Sequence, residues 1–586
     1  VTSCNHLSAE CKNPPEFTPL KCLFHRQFCP AIVASISFQT RWQLMDQNLS
    51  REIKILIIDE QALAQNYLRF ALEKLGYTQV QFTDKAQTAL QLCKDRQFDL
   101  IICSFNLQQG KDGYQLYEEL KVRRIQKLST GFIFISAETD PSLVYSVLEL
   151  QPDEFLAKPY TMRDLQSRIE RVLKRKQELM PIYQWLEQNR LDRALQQLDH
   201  MLAEGQNSKL VPVLLRFKGD LLLQLADYDK AQLFFRSVLA VQPFNWARMG
   251  LVKTLLAKGD VPQATAEMQY LEQKGETRLF ALEQLAELEF RREEFELAQQ
   301  HLEQATSLAP RNLFRQQKLQ QLSRLNHDYE RQYKAARDMV KFARYSMYEQ
   351  PELYLNLARA CIDFAVSLDE DGETNKLSKQ ANDCLSNLKS QFPDADTKEQ
   401  QLVVQARLLY LKDQKDKAKK LLAELDHHHI VIDNLEAALD KAKALHEVGL
   451  TQASRQWFEQ ITRYCQQQHT DPYLKSYLQQ ESNERAELTT PPRELNNIAV
   501  MHFQHGNWQA ALAAFEHAFR LLPRNSGIAL NLLQSMLTAP EHLLPPQKRH
   551  HLTQACLRTI EKGKLDPEQN RRFEQLKLKH PSVFAR

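Results

Sequence analysis

Glycine and proline are scarce in this chain, 14 and 23 of 586 residues. That scarcity excludes a hairpin-rich β architecture, because tight turns draw on both residue types. Charge of one sign is also lacking: 76 Lys plus Arg nearly cancel 73 Asp plus Glu, so no overall field recruits nucleic acid or anionic lipid. No apolar run reaches the ~18 residues of a bilayer-spanning helix. No charged-then-apolar leader with a small-residue cleavage site opens the sequence. These absences predict a soluble, cytoplasmic protein with no membrane partner, for which nucleic acid is a disfavoured partner. What is abundant is Leu, Gln, Ala, Glu and Lys, the palette of helix interiors. At this length about two to four folding units are expected.

Cysteine is unevenly spread. Cys4, Cys11, Cys22 and Cys29 crowd the first thirty residues, and the other six scatter over the rest, as reduced core residues do. With His6 and His25 the first four supply zinc-ligand residue types, but without the paired C-x2-4-C knuckles of a zinc site. The spacing favours no metal. Residues 1–51 are expected to be a poorly ordered extension, with the natural start near Met45.

From Ile53 short apolar runs alternate with amphipathic stretches: IKILII, QALAQNYLRFALEKLG, VQFT, KAQTALQLCKDRQ, FDLIIC, GYQLYEELKVRR, FIFISA, PSLVYSVLEL, DEFLAKP, and a last helix from about Met162 to Lys176. Strict alternation, with runs such as KILIID and DLIICS apolar throughout, predicts a doubly wound α/β domain over 52–176: a five-stranded parallel sheet covered on both faces. In such sheets function sits at the carboxyl ends of the strands.

Beyond KRKQELMP strand signals stop. A phrase recurs in which turn-like polar residues precede an alanine and a large apolar residue follows four later: Ala194, Ala231, Ala264 and Ala298, separated by 37, 33 and 34 residues, then Ala418, Ala453 and Ala511. Pro243, Pro310 and Pro523 each end the second helix of their copies. A period near 34 is the mark of helix-turn-helix solenoids. The region resembles tetratricopeptide repeats, best at 212–245 (Gly219, Tyr228, Ala231, Phe235, Pro243) and 492–525 (Trp508, Ala511, Phe515, Pro523). An all-α superhelix is therefore expected: repeats over 177–312, irregular and repeat-like helices over 313–482, a C-terminal repeat over 483–538, and a basic helical tail over 539–586. Between about 313 and 400 the phasing is lost, and an irregular pair or one longer helix is expected there. Residues 483–493 and 539–546 read as breaks.

The strand-end residues of 52–176 resemble those of response-regulator receiver domains. Asp59 and Glu60 stand where that family keeps an acidic, magnesium-holding pair. Ser136 in FISAE matches its hydroxyl residue, Lys158 before Pro159 its lysine, and Phe155 its aromatic switch. The departure is at the third strand. Where the resemblance implies the phosphate-accepting aspartate, DLIIC is followed by Ser104. A carboxylate is needed both as the nucleophile that forms an acyl phosphate and as a hard oxygen ligand for the ion. Serine's hydroxyl is un-ionised at neutral pH without a base. The pocket is therefore expected to be vestigial, with weak or absent Mg2+ binding, no resident cofactor and no catalytic residue. Asp99 starts the strand and Asp112 lies beyond the loop, so neither replaces the missing acid.

A receiver without phosphorylation keeps only its binding surfaces, and a helical-repeat array supplies a groove for a peptide, helix or domain. The sum is a two-component-type signalling adaptor, not an enzyme, that works by protein–protein binding through the repeat groove and through the receiver face bearing the fourth strand, the fifth strand and the helix between them. That face is also the candidate surface for self-association. First-helix residues such as Arg216 and Lys253 are placed to line the groove. Two alternatives stand beside this. A phosphatase or sequestering regulator of another phosphorylated receiver would need an inserted carboxamide or acid, which spacing does not single out. A nucleic-acid-binding regulator would need a basic stripe. Residues 542–586 carry ten Lys or Arg against four Asp or Glu, but lack interleaved aromatics and read as a solvated tail. His427 to His429 read as a solvated run.

Overall fold

The computed structural model describes residues 52–107, 110–137, 140–204, 210–368, 371–425, 432–486, 492–563 and 565–584. The expectations for the four N-terminal cysteines, for Met45 and for His427 to His429 lie outside these residues. The chain divides into two compact units, Val1–Leu285 and Ala286–Arg586. Among the described residues no helix is long and apolar enough to cross a membrane.

The first unit opens with strands β1 (Lys54–Ile58), β2 (Gln79–Thr83), β3 (Leu100–Ser104), β4 (Gly131–Ser136) and β5 (Glu154–Ala157), in the order β2-β1-β3-β4-β5, all parallel. Helices α1 (Ala62–Lys74), α2 (Ala86–Asp95), α3 (Gly113–Val122), α4 (Pro141–Leu150) and α5 (Met162–Glu178) make the crossovers and the exit. Successive residues of a strand face opposite sides. Ile55, Ile57, Leu100, Ile102, Ile133 and Ile135 enter one core, while Leu56, Ile58, Ile101, Cys103, Phe132 and Phe134 enter the other. Both faces of the central strands β1, β3 and β4 are dry, which is why those strands read as unbroken apolar runs. Gly113 lets α3 start against the end of β3: a Cβ there would lie 2.3 Å from the Ser104 carbonyl oxygen.

Leu179 joins α5 to α6 (Met180–Glu187) without a loop, and its side chain is buried with Ile182 and Tyr183. Antiparallel hairpins follow: α6 with α7 (Leu191–Glu204), α8 (Val211–Gln224) with α9 (Tyr228–Val241), and α10 (Asn245–Ala257) with α11 (Val261–Glu272). Ala194, Ala231 and Ala264 are each the fourth residue of a second helix and are fully buried. Phe235, four after Ala231, fills the space left by two glycines. A Cβ on Gly219 would come within 2.5 Å of its ring, and one on Gly250 within 2.2 Å. One repeat is thus keyed into the next by a phenylalanine that only glycines admit.

The boundary between the units falls within α12 (Gly275–Arg291). The second unit continues as α13 (Phe295–Leu308), α14 (Leu313–Leu325), α15 (Tyr329–Ala343), α16 (Pro351–Val366), α17 (Asp371–Gln391), α18 (Lys398–Leu411), α19 (Lys415–Ala423), α20 (Leu435–Glu447), α21 (Thr451–Gln467), α22 (Pro472–Ala486), α23 (Pro492–Gln504), α24 (Trp508–Leu521), α25 (Ser526–Thr538), α26 (Pro546–Lys562), α27 (Pro567–Lys579) and α28 (Pro581–Phe584). Ala298, Ala418 and Ala511 again hold the fourth position and are buried. Two copies differ. In α21 the fourth residue is Ser454, whose hydroxyl donates to the Ala442 carbonyl at 2.8 Å; Ala453 is one position off and only partly buried. In α15 the fourth residue is Gln332, buried and donating to Asp363 Oδ2 at 3.1 Å. A polar side chain at the crossing hid the repeat in the sequence. The irregular stretch resolves into hairpins α14–α15 and α16–α17.

The described residues between 539 and 584 do not form a solvated tail. Cys556, Ile560, Phe573 and Leu576 from α26 and α27 are buried against α24 and α25 residues such as Phe519, Leu530 and Met536. All six cysteines of the described residues are buried without disulfides. Burial pushes the Cys93 and Cys556 thiols up to about 12, as expected of reduced core residues.

Candidate functional site

The carboxyl edge of the sheet gathers the residues singled out in the sequence. Asp59, one residue past β1, is 1% exposed. Its Oδ2 lies 3.2 Å from Lys158 Nζ, and its Oδ1 accepts the Gln61 N–H at 2.9 Å. Ser104 ends β3 and is buried; its hydroxyl donates to the Asn106 carbonyl at 3.2 Å. Ser136 ends β4, buried, and its carbonyl accepts the Lys158 N–H at 2.7 Å. Phe155 on β5 pairs in register with Phe134 and is half-buried against the core that also holds Val147. Glu60 lies at the rim, where with Gln61, Asn106, Leu107, Gly110 and Asp112 it lines an open hollow. Parallel strands ending at one edge bring together residues far apart in sequence.

Of the two other carboxylates near β3, one lies away from this edge and the other, at the rim of the hollow, serves as a helix cap. Asp99 Oδ2 accepts the Lys54 N–H at 2.8 Å, at the opposite end of the sheet. Asp112 caps α3, accepting the Gln115 N–H at 2.9 Å in a capping box. Burial, followed by the Asp112 and Asp59 charges, pushes the neighbouring Cys103 thiol well up, so it is no nucleophile.

These donors fit a divalent cation poorly. Magnesium asks for near-octahedral oxygen ligation built on carboxylates. Here Asp59 is engaged on both oxygens, and Ser104 offers a neutral hydroxyl. Among the described residues no three His, Cys, Asp or Glu side chains cluster so as to hold a metal.

The receiver-like face formed by β4, α4 and β5 is not wholly free. Tyr145 of α4 donates its hydroxyl to the Gly275 carbonyl, at the first residue of α12, at 3.2 Å. Glu187 of α6 accepts the Leu128 N–H at 2.9 Å. These two hydrogen bonds fasten the following helices to this domain, and strand-end reasoning missed them because neither residue belongs to a motif. Arg216 and Lys253 are exposed on the first helices α8 and α10, with Lys253 Nζ 5.6 Å above the Phe280 ring.

Comparison with known proteins follows the same residues. The sequence model of the family described as Response regulator receiver domain matches residues 55–170. A probable chemotaxis protein CheY of Rhizobium etli is 27% identical over 125 residues, 21% of this chain and 95% of that protein. The transcriptional activator protein IrlR of Burkholderia pseudomallei is 27% identical over 29% of this chain and 73% of its own length. Among solved structures, the signal receiver domain of an HD domain-containing protein from Pseudomonas fluorescens Pf-5 is 28% identical, covering 22% of this chain and 99% of that one, with a TM-score of 0.20. Residues 55–170 are a response regulator receiver domain, which marks the chain as a regulator of two-component signalling.

Proposed function

We propose that this regulator is a pseudo-receiver adaptor: its receiver domain takes no phosphate, and its tetratricopeptide-like helices bind other proteins. The observation that carries the reading is Ser104 at the end of β3, with its hydroxyl turned to the Asn106 carbonyl and Asp59 already neutralised by Lys158. An acyl phosphate needs a carboxylate nucleophile; Asp99 lies at the opposite end of the sheet, and Asp112 is committed to capping α3. The protein carries out no turnover on this reading. Signal enters by partner binding, and the Tyr145–Gly275 contact links the receiver to the repeats.

Mass spectrometry after incubation with acetyl phosphate and magnesium tests it. The unaltered protein is expected to remain unmodified. A hydroxylamine-sensitive phosphoryl adduct would show that another carboxylate serves and would sink the reading.

A further inference from the structure

The charges of the chain balance overall but not locally. Where α15 ends beside the start of α14, its hairpin partner, residues 337–348 (RDMVKFARYSMY) carry three basic residues against one acid, with three aromatics set among them. This is the interleaving that residues 542–586 lack. Arg311 and Phe314 join the patch from the α14 side. The Arg311 guanidinium lies 5.9 Å from the centroid of the Phe342 ring, and Phe314 meets Tyr348 edge to face at 5.8 Å. Lys341 Nζ stands 5.1 Å from the Phe342 centroid, and the Arg344 guanidinium 4.9 Å from that of Tyr345. Each of these three cations is thus held against a ring.

Two observations set these rings apart from core aromatics. Phe314 is 64% exposed and Tyr345 50%, and they are the only exposed Phe, Tyr or Trp side chains of the second unit among the described residues. Left in water, neither ring gains the burial that stabilises core aromatics. Tyr345 also follows the C-cap of α15 with φ +66°, a left-handed position that glycine or asparagine ordinarily fills and a bulky side chain rarely takes. No other Phe, Tyr or Trp among the described residues adopts such a position. The turn is fastened by groups other than the ring: the Tyr345 N–H donates to Glu349 Oε2 at 2.5 Å, and the Tyr348 N–H to Ser346 Oγ at 3.1 Å. Backbone strain that brings no burial with it marks a side chain kept for contact with a ligand.

The nearby acids are turned to internal partners. Asp338 lies 3.1 Å from Arg337, and Glu349 Oε1 accepts the Tyr354 hydroxyl at 2.8 Å. Lys341 and Arg344 are exposed. A ligand that uses both the rings and the cations repeats a planar apolar face and a negative charge at every unit, as an unpaired nucleotide strand does. An acidic peptide would use the cations and leave the rings unstacked. A duplex keeps its bases stacked on each other.

We propose that this end of the α14–α15 hairpin is a platform for single-stranded nucleic acid, with Phe314 and Tyr345 stacking on bases and Arg311, Lys341 and Arg344 meeting backbone phosphates. It goes beyond the adaptor reading and does not depend on whether the receiver takes phosphate.

Fluorescence anisotropy of a labelled oligothymidylate of about twelve nucleotides, titrated with the full chain, tests the proposal. Binding is expected to weaken with salt at a log–log slope of about −2, roughly −0.7 for each of three phosphate contacts. Lys341→Gln with Arg344→Gln is expected to bring the slope to about −0.7. An abasic strand of equal length and charge is expected to bind about tenfold more weakly, as is oligothymidylate to Phe314→Ala or Tyr345→Gly. Because glycine relieves the left-handed position, the Tyr345→Gly chain is expected to melt no lower than the unaltered one, which separates lost binding from lost fold. Equal binding of the thymidylate and abasic strands would overturn the proposal, since charge alone would then draw the ligand. Tighter binding of polyglutamate of matched charge would assign the patch to an acidic protein segment instead. No binding at low salt, or binding that both ring variants leave intact, would also overturn it.

Discussion

Lys158 reaches from the end of β5 to put its Nζ 3.2 Å from Asp59 Oδ2 at the end of β1, so the two outer members of the pocket are tied to each other. In this arrangement the lysine answers a buried carboxylate rather than an incoming phosphoryl group. Asp59 is 1% exposed, whereas the Lys158 side chain is 24% exposed. Lys158→Met would leave the acid buried without its cation, a loss of about 1–3 kcal/mol. Urea denaturation of the chain, followed through the receiver's unfolding transition, checks it; an unchanged midpoint would mean the pair contributes nothing.

Restoring the missing acid bears on the same pocket from the other side. Ser104→Asp puts a carboxylate among Asp59, Glu60 and Lys158, and magnesium binding is expected to appear, read as a magnesium-dependent rise in the receiver's melting temperature. Asp99→Asn in the Ser104→Asp background is expected to leave that binding in place, since Asp99 lies at the opposite end of the sheet, and so is Asp112→Asn, since Asp112 is committed to capping α3. Loss of binding in either double variant would relocate the site.

Ala231 and Ala511 have no exposed surface, and the helices cross closely there. Leucine at either position is expected to overpack the crossing by about 1–3 kcal/mol. Gly250→Ala is expected to do the same, because its Cβ would stand 2.2 Å from the Phe235 ring. Phe235→Leu combined with Gly250→Ala should recover part of that loss. Thermal melts of these four variants and of Phe235→Leu alone check this, and additive losses in the double variant would show that Gly250 and Phe235 do not share the space.

Arg407 of α18 holds three carboxylates at once: Asp440 at 2.8 Å, Asp363 at 2.9 Å and Glu447 at 2.7 Å. Arg407→Met keeps much of the volume and removes the charge. Unpaired buried acids should then cost about 3–5 kcal/mol, seen as a lower urea midpoint for the second unit.

How much of this could be read from the sequence follows from periodicity. The sheet was legible because strands buried on both faces are apolar at every position, and the pocket because parallel strands end at one edge: Asp59, Ser104, Ser136 and Lys158 needed only the strand assignments. The repeats were legible wherever the crossing residue is alanine. They vanished at Gln332 and slipped by one at Ser454, where hydrogen bonds to Asp363 and to the Ala442 carbonyl do the work of a small side chain. The buried charge network of the second unit could not be found by pattern at all. Arg324, Arg407 and Lys443 read as ordinary surface residues of amphipathic helices, and only the approach of five helices, distant in sequence, buries them. The packing of α26 and α27 was hidden by their basic composition, because four apolar residues suffice to bury one face.

The buried charges also fix how the second unit responds to acid. Glu481 sits against Lys443 of α20 and Arg485 of its own helix, with Asp363 of α16 nearby. Burial alone would raise its carboxyl, but the attraction of Lys443 and Arg485 prevails and holds it at about 2, against 4.5 for an ordinary glutamate. Asp363 is likewise held well below the usual carboxylate range: burial works against it, and Lys443, Arg407 and Arg324 outweigh burial. A carboxyl depressed on folding contributes stability that is fully present above its unfolded value. That contribution is lost as pH falls from about 4.5 through the folded value near 2. Each proton taken up on unfolding in that window steepens the decline by about 1.4 kcal/mol per pH unit. Calorimetric melts between pH 7 and pH 2.5 are therefore expected to be flat for the second unit down to about pH 5 and to fall below it. Glu481→Gln should be less stable at pH 7, since Lys443 and Arg485 lose a counter-charge, yet lose less on acidification than the unaltered chain. If the variant and the unaltered protein declined in parallel from pH 4.5 downward, Glu481 would not be the group that titrates, and the ion pairs around α22 would not be what acid breaks.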